Sequence, residues 1–155
     1  MPTVFDVANY FIVATRCDCE DEINDDVMTH MKLHKLVYYA QGFSLALNDE
    51  PLFDEPIEAW EHGPVCPDLY QKYKMYKRTP IESSLSMEEV KQTFTEKQIG
   101  VLEFVNDEFG CHTATFLRKL SHQDKAWLIA RSKGGIELTL EDMKQSCLER
   151  LIDEG

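Results

Sequence analysis

The stretch that most constrains the fold runs over residues 31–73, where a helical pattern, a turn-rich middle and a second helical pattern follow one another. Apolar side chains recur at helical spacing from Leu33 to Leu47, which predicts a helix with a broad apolar face. Thr29 is predicted to cap its start, because its hydroxyl can accept a bond from a free N–H in the first turn. Residues 48–51 read Asn-Asp-Glu-Pro, a composition typical of a turn.

Two short extended segments are predicted after this turn, at residues 51–53 and 57–60, as a small hairpin around residues 54–56. Residues 62–67 read His-Gly-Pro-Val-Cys-Pro. We interpret them as a loop, because a residue before proline is kept out of the helical region. A helix is predicted over residues 67–77, since proline suits the first turn of a helix.

The other helices are predicted from a capping residue followed by apolar residues at helical spacing. They cover residues 3–15, 87–94, 96–109, 113–120, 125–132 and 140–152, with caps at Thr3, Ser86, Thr95, Thr113, Asp124 and Thr139. Phe116 and Leu140 are expected to face inward. Gly110 is expected to end a helix in a left-handed conformation. The acidic residues 17–26 are predicted as a loop, and residues 136–138 as a strand added to the hairpin.

These elements predict a mainly α (α+β) fold, a compact bundle of about six to seven helices with a small two- or three-stranded β-sheet. The chain has 155 residues, a length that suits a single domain over residues 1–155. Its net charge of -12 disfavours nucleic-acid binding and suits a basic partner, although solubility alone also explains it.

The cysteines and the hydropathy pattern predict a cytoplasmic protein. Five cysteines form an odd number, which is typical of free thiols in a reducing compartment. Asp6 and Asn9 interrupt the apolar run near the N-terminus, so no secretory signal is predicted. No apolar stretch approaches the length of a membrane span, and no membrane partner is expected.

A resemblance to a known family rests on four blocks of sequence in a fixed order. The blocks are residues 32–40 (KLHKLVYYA), 51–53 (PLF), 59–65 (AWEHGPV) and 69–70 (LY). Together they resemble the Panacea antitoxin domain, also called the SocA-like domain, which phage-associated proteins of the GepA type share. The likeness continues more weakly through residues 6–11, Trp127, Ala130 and Arg131.

The resemblance implies an antitoxin that neutralises a cognate protein toxin encoded nearby by direct binding. It implies neither catalytic residues nor a cofactor. Delivery of the toxin to a protease, as an adaptor, is an alternative. We predict that partner binding involves matched positions and aromatic side chains of the types that anchor interfaces. These are Lys32, Lys35, Tyr38, Tyr39, Trp60, Glu61, His62, Tyr70 and Tyr73. Gly63, Pro64 and Val65 are interpreted as structural. The competing interpretation places the aromatic residues in the core.

The sequence contains two groups of residues with the chemistry of a metal or thiol site, and neither arrangement favours that chemistry. Cys17 and Cys19 with His30 and His34 supply thiolate and imidazole, a zinc ligand set, but the spacing does not fit a zinc finger, so no metal is predicted. Cys66 at a helix start with His62 nearby could form a nucleophile and base, but a buried, inert thiol is the preferred interpretation.

Two charged clusters are interpreted as solvated surface. The carboxylates around the predicted hairpin are Asp49, Glu50, Asp54, Glu55, Glu58 and Glu61. If they function, pairing with a basic partner is preferred over catalysis or cation binding. The basic and aromatic residues of a second cluster could track a nucleic acid, but the island is small. They are Tyr70, Lys72, Tyr73, Lys74, Tyr76, Lys77 and Arg78.

Overall fold

The chain folds around one long helix. The elements in chain order are α1 (Val4–Cys19), α2 (His30–Asn48), β1 (Glu58–Trp60), β2 (Gly63–Val65), α3 (Pro67–Tyr73), α4 (Met87–Lys91), α5 (Glu96–Phe109), α6 (Ala114–Ser121), α7 (Lys125–Ser132) and α8 (Leu140–Asp153). The computed structural model describes residues 1–19, 28–76, 81–132 and 136–153, with side chains for 1–15, 28–76, 81–132 and 136–152. Within these residues the fold is mainly α with a small sheet, which confirms the predicted class.

Helix α2 lies at the centre and is buried on nearly all sides. It contacts α1, α3, α5, α6, α8 and β2, and fifteen of its residues are buried. The predicted cap is confirmed, since the Thr29 hydroxyl accepts a bond from the Lys32 N–H at 3.3 Å. The helix ends at Asp49, whose φ of 56° lies in the left-handed region. The sequence predicted one apolar face, whereas neighbours on several sides cover the helix.

Residues 51–53 do not form a strand, so the predicted hairpin around residues 54–56 is wrong. Instead, a buried glutamine on α2 forms hydrogen bonds with the backbone groups of this segment. The Gln41 side chain donates to the Phe53 carbonyl at 2.9 Å and accepts from the Leu52 N–H at 2.7 Å. The backbone groups of this segment therefore need no sheet partner.

The observed hairpin pairs β1 with β2, with Trp60 opposite Gly63 and Ala59 opposite Pro64. The prediction that residues 62–67 form a loop is therefore wrong for Gly63–Val65. Proline is tolerated here because, among the described residues, β2 pairs only with β1 and so needs no ladder bond on its outer side. Gly63 has φ of 117°, a conformation that favours glycine at the exit of the turn.

The expected third segment of the sheet is confirmed as a short bridge. Glu58 pairs with Glu137 in antiparallel orientation. The Ala59 N–H donates to the Ile136 carbonyl at 2.6 Å, and the Leu138 N–H donates to the Ile57 carbonyl at 2.9 Å. β1 therefore has neighbours on both sides.

Several predicted helix starts are confirmed by their capping bonds. The hydroxyls of Thr3, Ser86, Thr95, Thr113 and Thr139 each accept a bond from the N–H three residues later. Thr95 and Gln98 complete a capping box. Asp124 does not act in this way, because its carboxylate bonds to Tyr38 and Arg150 instead.

Other details of the helices differ from the predictions. Gly110 has φ of −65° rather than a left-handed value, because its N–H continues the helical pattern to the Asn106 carbonyl at 2.9 Å. Phe116 and Leu140 are 45% and 48% exposed rather than inward-facing. Residues 17–19 continue α1, and the rest of the predicted acidic loop, residues 20–26, lies outside the described residues.

The remaining differences concern helix ends and membrane spans. α3 gives way to a 3-10 turn at Lys74–Tyr76, and α4 stops at Lys91, earlier than predicted. Residue 77, the predicted end of the former helix, lies outside the described residues. In the described part of the chain, no helix combines the length and the apolar character required to cross a bilayer.

Candidate partner-binding site

A buried lysine of α2 connects this helix to the hairpin. Lys35 is 1% exposed, and its Nζ donates to the Pro64 carbonyl at 3.4 Å. Burial, with the charge of Arg118 as a second cause, lowers the pKa of Lys35 to about 7. A Cβ at Gly63 would lie 2.8 Å from Lys35 Cε and 3.0 Å from Ser121 Oγ. Glycine is therefore required where the hairpin meets this lysine.

Three side chains from the α6–α7 region hold the other side of the hairpin. His122 Nε2 lies 2.8 Å from the Glu61 carbonyl oxygen. Trp127 Nε1 donates to the Trp60 carbonyl at 2.9 Å. Arg131 donates to the Ala59 carbonyl at 3.4 Å. Three successive carbonyls are thus fixed by side chains of the α6–α7 region, so the hairpin is held in one geometry before any partner arrives.

The exposed part of this hairpin forms what we call the hairpin-tip surface, made of Trp60, Glu61, His62 and Tyr70. Glu61 and His62 are exposed, whereas Trp60 and Tyr70 are half-buried. The rings of Trp60 and Tyr70 meet edge to face with centroids 5.0 Å apart, and Trp60 Nε1 donates to Glu58 Oε1 at 2.9 Å. The surface therefore combines two oriented aromatic rings with two solvated polar side chains.

The structure separates the nine residues predicted for partner binding into two groups. Buried positions are occupied by Lys32, Lys35, Tyr38, Tyr39 and Tyr73. Lys32 Nζ, for example, donates to the Gly110 carbonyl at 2.6 Å. These five side chains have contacts inside the fold, so we restrict the proposed contact surface to the four residues at the hairpin tip. Gly63, Pro64 and Val65 are also buried.

A buried polar network connects α2, α7 and α8. The Tyr38 hydroxyl donates to Asp124 Oδ2 at 2.8 Å, and Arg150 pairs with the other carboxylate oxygen. The Arg150 guanidinium lies over the Tyr39 ring at 5.6 Å, and that ring stacks on Phe109 at 4.4 Å. Burial and then the charge of Asp124 raise the pKa of both tyrosines. This network therefore supports the packing of the fold.

Two histidines of α2 lie beside Tyr70. The ring centroids of His30 and His34 are 5.9 Å apart, and His34 lies 6.2 Å from Tyr70. Burial, then the charges of Lys35 and His30, lower the pKa of His34 to about 3, so its imidazole is neutral at physiological pH. Neither ring nitrogen of His34 has a hydrogen-bond partner in the described residues.

The cysteines of the metal and thiol hypotheses do not form a chemical site within the described side chains. The side chains of Cys17 and Cys19 lie outside the described ones. Among the side chains that are described, no three or more of His, Cys, Asp and Glu are grouped as metal ligands would be. Cys66 is 2% exposed, and burial raises the pKa of its thiol to about 11. This thiol is therefore protonated and weakly nucleophilic at neutral pH.

In the basic and aromatic cluster that starts at Tyr70, the two lysines that the structure describes contact neighbouring side chains. Lys72 Nζ lies 4.9 Å from the Phe5 ring centroid and 5.5 Å from that of Tyr73. Lys74 Nζ donates to Gln71 at 2.9 Å. Lys77 and Arg78 lie outside the described residues. That the protein does not bind nucleic acid remains a prediction.

Sequence reasoning missed the groups that hold the hairpin and complete the network. His122 follows the end of α6, and nothing in its local pattern marks it as a partner of a carbonyl 61 residues away. The local pattern predicts a cap at Asp124 and gives no signal for Arg150. For Trp127 and Arg131 a signal existed, because the weak extension of the family resemblance includes both.

The fold and site define a mainly α domain that carries a firmly held two-stranded hairpin on a central helix. The family model described as antitoxin SocA-like, Panacea domain matches residues 33–128, and the chain belongs to this family. This finding confirms the resemblance and suggests an antitoxin role. The matched range begins in α2, ends in α7 and contains the whole hairpin. No curated protein and no solved structure matches the chain significantly.

Proposed function

We propose that this protein is the antitoxin of a toxin–antitoxin pair, which acts in the cytoplasm as a single domain. It neutralises a cognate protein toxin encoded nearby by binding it directly at the hairpin-tip surface. The observation that carries the proposal is the fixing of three successive hairpin carbonyls, at Ala59, Trp60 and Glu61, by side chains of the α6–α7 region. The proposed role requires no cofactor and no catalytic residue.

The physical basis is the low entropic cost of binding with a surface that is already ordered. Trp60 and Tyr70 are of the residue types that dominate binding energy in protein interfaces. Their rings are mutually packed and partly exposed, so a partner can cover apolar area without first immobilising them. Glu61 and His62 at the rim contribute polar contacts and specificity.

The primary test is co-expression with the product of the neighbouring open reading frame, scored by growth and by co-purification. We expect the neighbour alone to stop growth, and this protein to restore growth and to purify with it as a stable complex. The amount of the neighbour's product, measured by immunoblot, should not fall. A protease-dependent fall would indicate an adaptor instead of a blocking antitoxin. A harmless neighbour that does not co-purify would refute the proposed function.

Variants of the tip locate the contact. Trp60→Ala should weaken the complex by about 2 kcal/mol or more, roughly thirtyfold in Kd. His62→Ala should have a smaller effect and leave the melting temperature unchanged, because its side chain is exposed. Ile152→Ala is the control, since Ile152 is 77% exposed on α8. If the tip variants bind the toxin as tightly as this control, the contact lies elsewhere.

A further inference from the structure

A groove runs along the side of the sheet away from β2. It has a volume of about 480 Å³ and lies between the segment at residues 51–57 and the segment at residues 137–143. These segments are brought together by the bridge between Glu58 and Glu137. The groove joins parts of the chain that are about eighty residues apart, so the sequence pattern alone does not reveal it.

The rim of the groove is acidic. Asp54, Glu55 and Glu137 line it, and no lysine, arginine or histidine is among its lining residues. Glu55 Oε1 accepts a bond from the Val4 N–H at 3.2 Å. The carboxylates of Asp54 and Glu137 have no hydrogen bond or ion pair within the described residues. Two rim charges are thus available for a partner.

The walls of the groove are apolar. Buried Ile57 and Met143 lie deeper, and Leu140 lines the groove while remaining 48% exposed. Ile136, just before the bridge, is 55% exposed. A single exposed apolar side chain is ordinary, but exposed apolar side chains beside a groove with an acidic rim offer both area and charge to one ligand.

We propose that this groove binds a basic, apolar segment of the protein partner. Lysine or arginine side chains of the segment pair with Asp54 and Glu137, and an aliphatic or aromatic side chain covers Leu140. The charge of the rim, and the net charge of -12 of the whole chain, favour such a segment over an acidic one. The inference rests on the proposed function only in taking the partner to be a protein.

The groove and the hairpin-tip surface are connected through β1. Ile57 lines the groove, and Trp60 lies three residues further along the chain, a distance of roughly 10 Å in an extended strand. Side chains alternate between the two faces of a strand, so Ile57 and Trp60 point in opposite directions. The groove is therefore a contact region separate from the tip, with charge selection in the groove and aromatic anchors at the tip.

The first test uses the complex with the toxin candidate. The double variant Asp54→Lys/Glu137→Lys removes no bond within the described residues and reverses two rim charges. We expect Kd to rise about tenfold or more, with a weaker dependence on salt than in the unmodified protein. The matched control is Asp107→Lys/Glu108→Lys, which reverses two exposed charges on α5. Equal Kd values for the two double variants would overturn the groove proposal and leave the proposed function standing.

The second test does not depend on the toxin. A short synthetic peptide of lysine and leucine is titrated into the isotope-labelled protein and followed by NMR, with a glutamate and leucine peptide as the control. We expect the methyl signals of Leu140 and Met143 to shift with the basic peptide only, and the shifts to disappear in Asp54→Lys/Glu137→Lys. If no toxin complex forms, this titration still decides the matter, since unshifted methyl signals would overturn the proposal.

Discussion

The residues of the family motif fall into two regions, a buried one on α2, which we call the inner face, and an exposed one at the hairpin tip, which we call the outer face. The two faces differ in the partners of their polar side chains. On the inner face, Lys35 and Tyr38 are buried and bond to specific partners inside the fold. On the outer face, the side chains of Glu61 and His62 are exposed, although their backbone is held firmly. Membership in one motif therefore does not imply one role.

The difference follows from the cost of burying polar groups. A buried charge or hydroxyl is destabilising unless it is paired, so each inner residue constrains the residues around it. An exposed side chain on a fixed backbone is under no such constraint and can vary with the partner. Changes on the inner face should therefore lower stability, and changes on the outer face should lower affinity alone.

The largest expected effect comes from Asp124→Ala. The carboxylate pairs with Arg150 and accepts the Tyr38 hydroxyl bond. Its loss leaves the Tyr38 hydroxyl without its acceptor, and it leaves the Arg150 guanidinium with the Leu120 carbonyl as its remaining hydrogen-bond partner among the described residues. We expect the free energy of unfolding to fall by about 3–5 kcal/mol, measured by urea denaturation. The free energy of unfolding of Asp124→Asn should lie between those of Asp124→Ala and the wild type, because asparagine keeps an acceptor for the Tyr38 hydroxyl.

The control for this change is Lys125→Ala. Lys125 pairs with Glu149 at 2.9 Å, but the two side chains are 67% and 48% exposed, so the loss should be below about 1 kcal/mol. Similar losses for Asp124→Ala and Lys125→Ala would show that the buried network contributes no more than a surface ion pair. The distinction between the inner and outer faces would then fail.

A smaller effect is expected from Gly63→Ala, at the boundary between the two faces. The positive φ of Gly63 is unfavourable for alanine, and the new Cβ would lie 2.8 Å from Lys35 Cε. We expect a loss of about 2–3 kcal/mol. Gly100→Ala is the matched control, because its Cβ would have nothing within 4 Å and α5 should gain about 0.5–1 kcal/mol. If Gly63→Ala and the wild type had the same melting temperature in thermal unfolding, this account would be contradicted.

The helices were largely predictable because their signals are local. The hydroxyls of Thr29, Thr95 and Thr113 cap helices as their sequences indicate, since a cap involves residues only three apart. The apolar period of α2 was likewise correctly interpreted as a helix. Local signals do not report how many neighbours a helix has, so the full burial of Lys32 and Lys35 was missed.

The sheet and the site were less predictable because they depend on distant contacts. The sequence predicts the first strand of the hairpin at residues 51–53, but the Gln41 side chain bonds to the backbone of this segment. No pattern near these residues indicates that contact. Phe116 fits a helical stripe yet is exposed, because its ring stacks on the nearby His112 at 4.2 Å instead of entering the core. The carbonyl contacts of His122 and Arg131 likewise depend on how α6 and α7 meet the hairpin.

The smallest expected effect depends on pH and sharpens the description of the inner face at His34. In the fold its pKa is lowered from 6.5 to about 3, whereas in the unfolded chain it is near 6.5. Between these values the unfolded state binds more protons, so stability is lost as the pH falls from 6.5 toward 3. The contribution at pH 5 is about 2 kcal/mol. Lys35, His30 and Tyr70 face this ring, and none of them is a carboxylate that could compensate its charge.

His34→Leu tests this contribution, because it removes the titrating ring without removing a hydrogen bond from the described residues. The variant should lose less stability than wild type between pH 7 and pH 5, by about 2 kcal/mol in urea denaturation. His62→Gln is the matched control, because it replaces an exposed imidazole at the hairpin tip. Parallel curves for His34→Leu and wild type would mean that His34 is protonated inside the fold. The inner face would then hold a charge that the contacts around α2 do not explain.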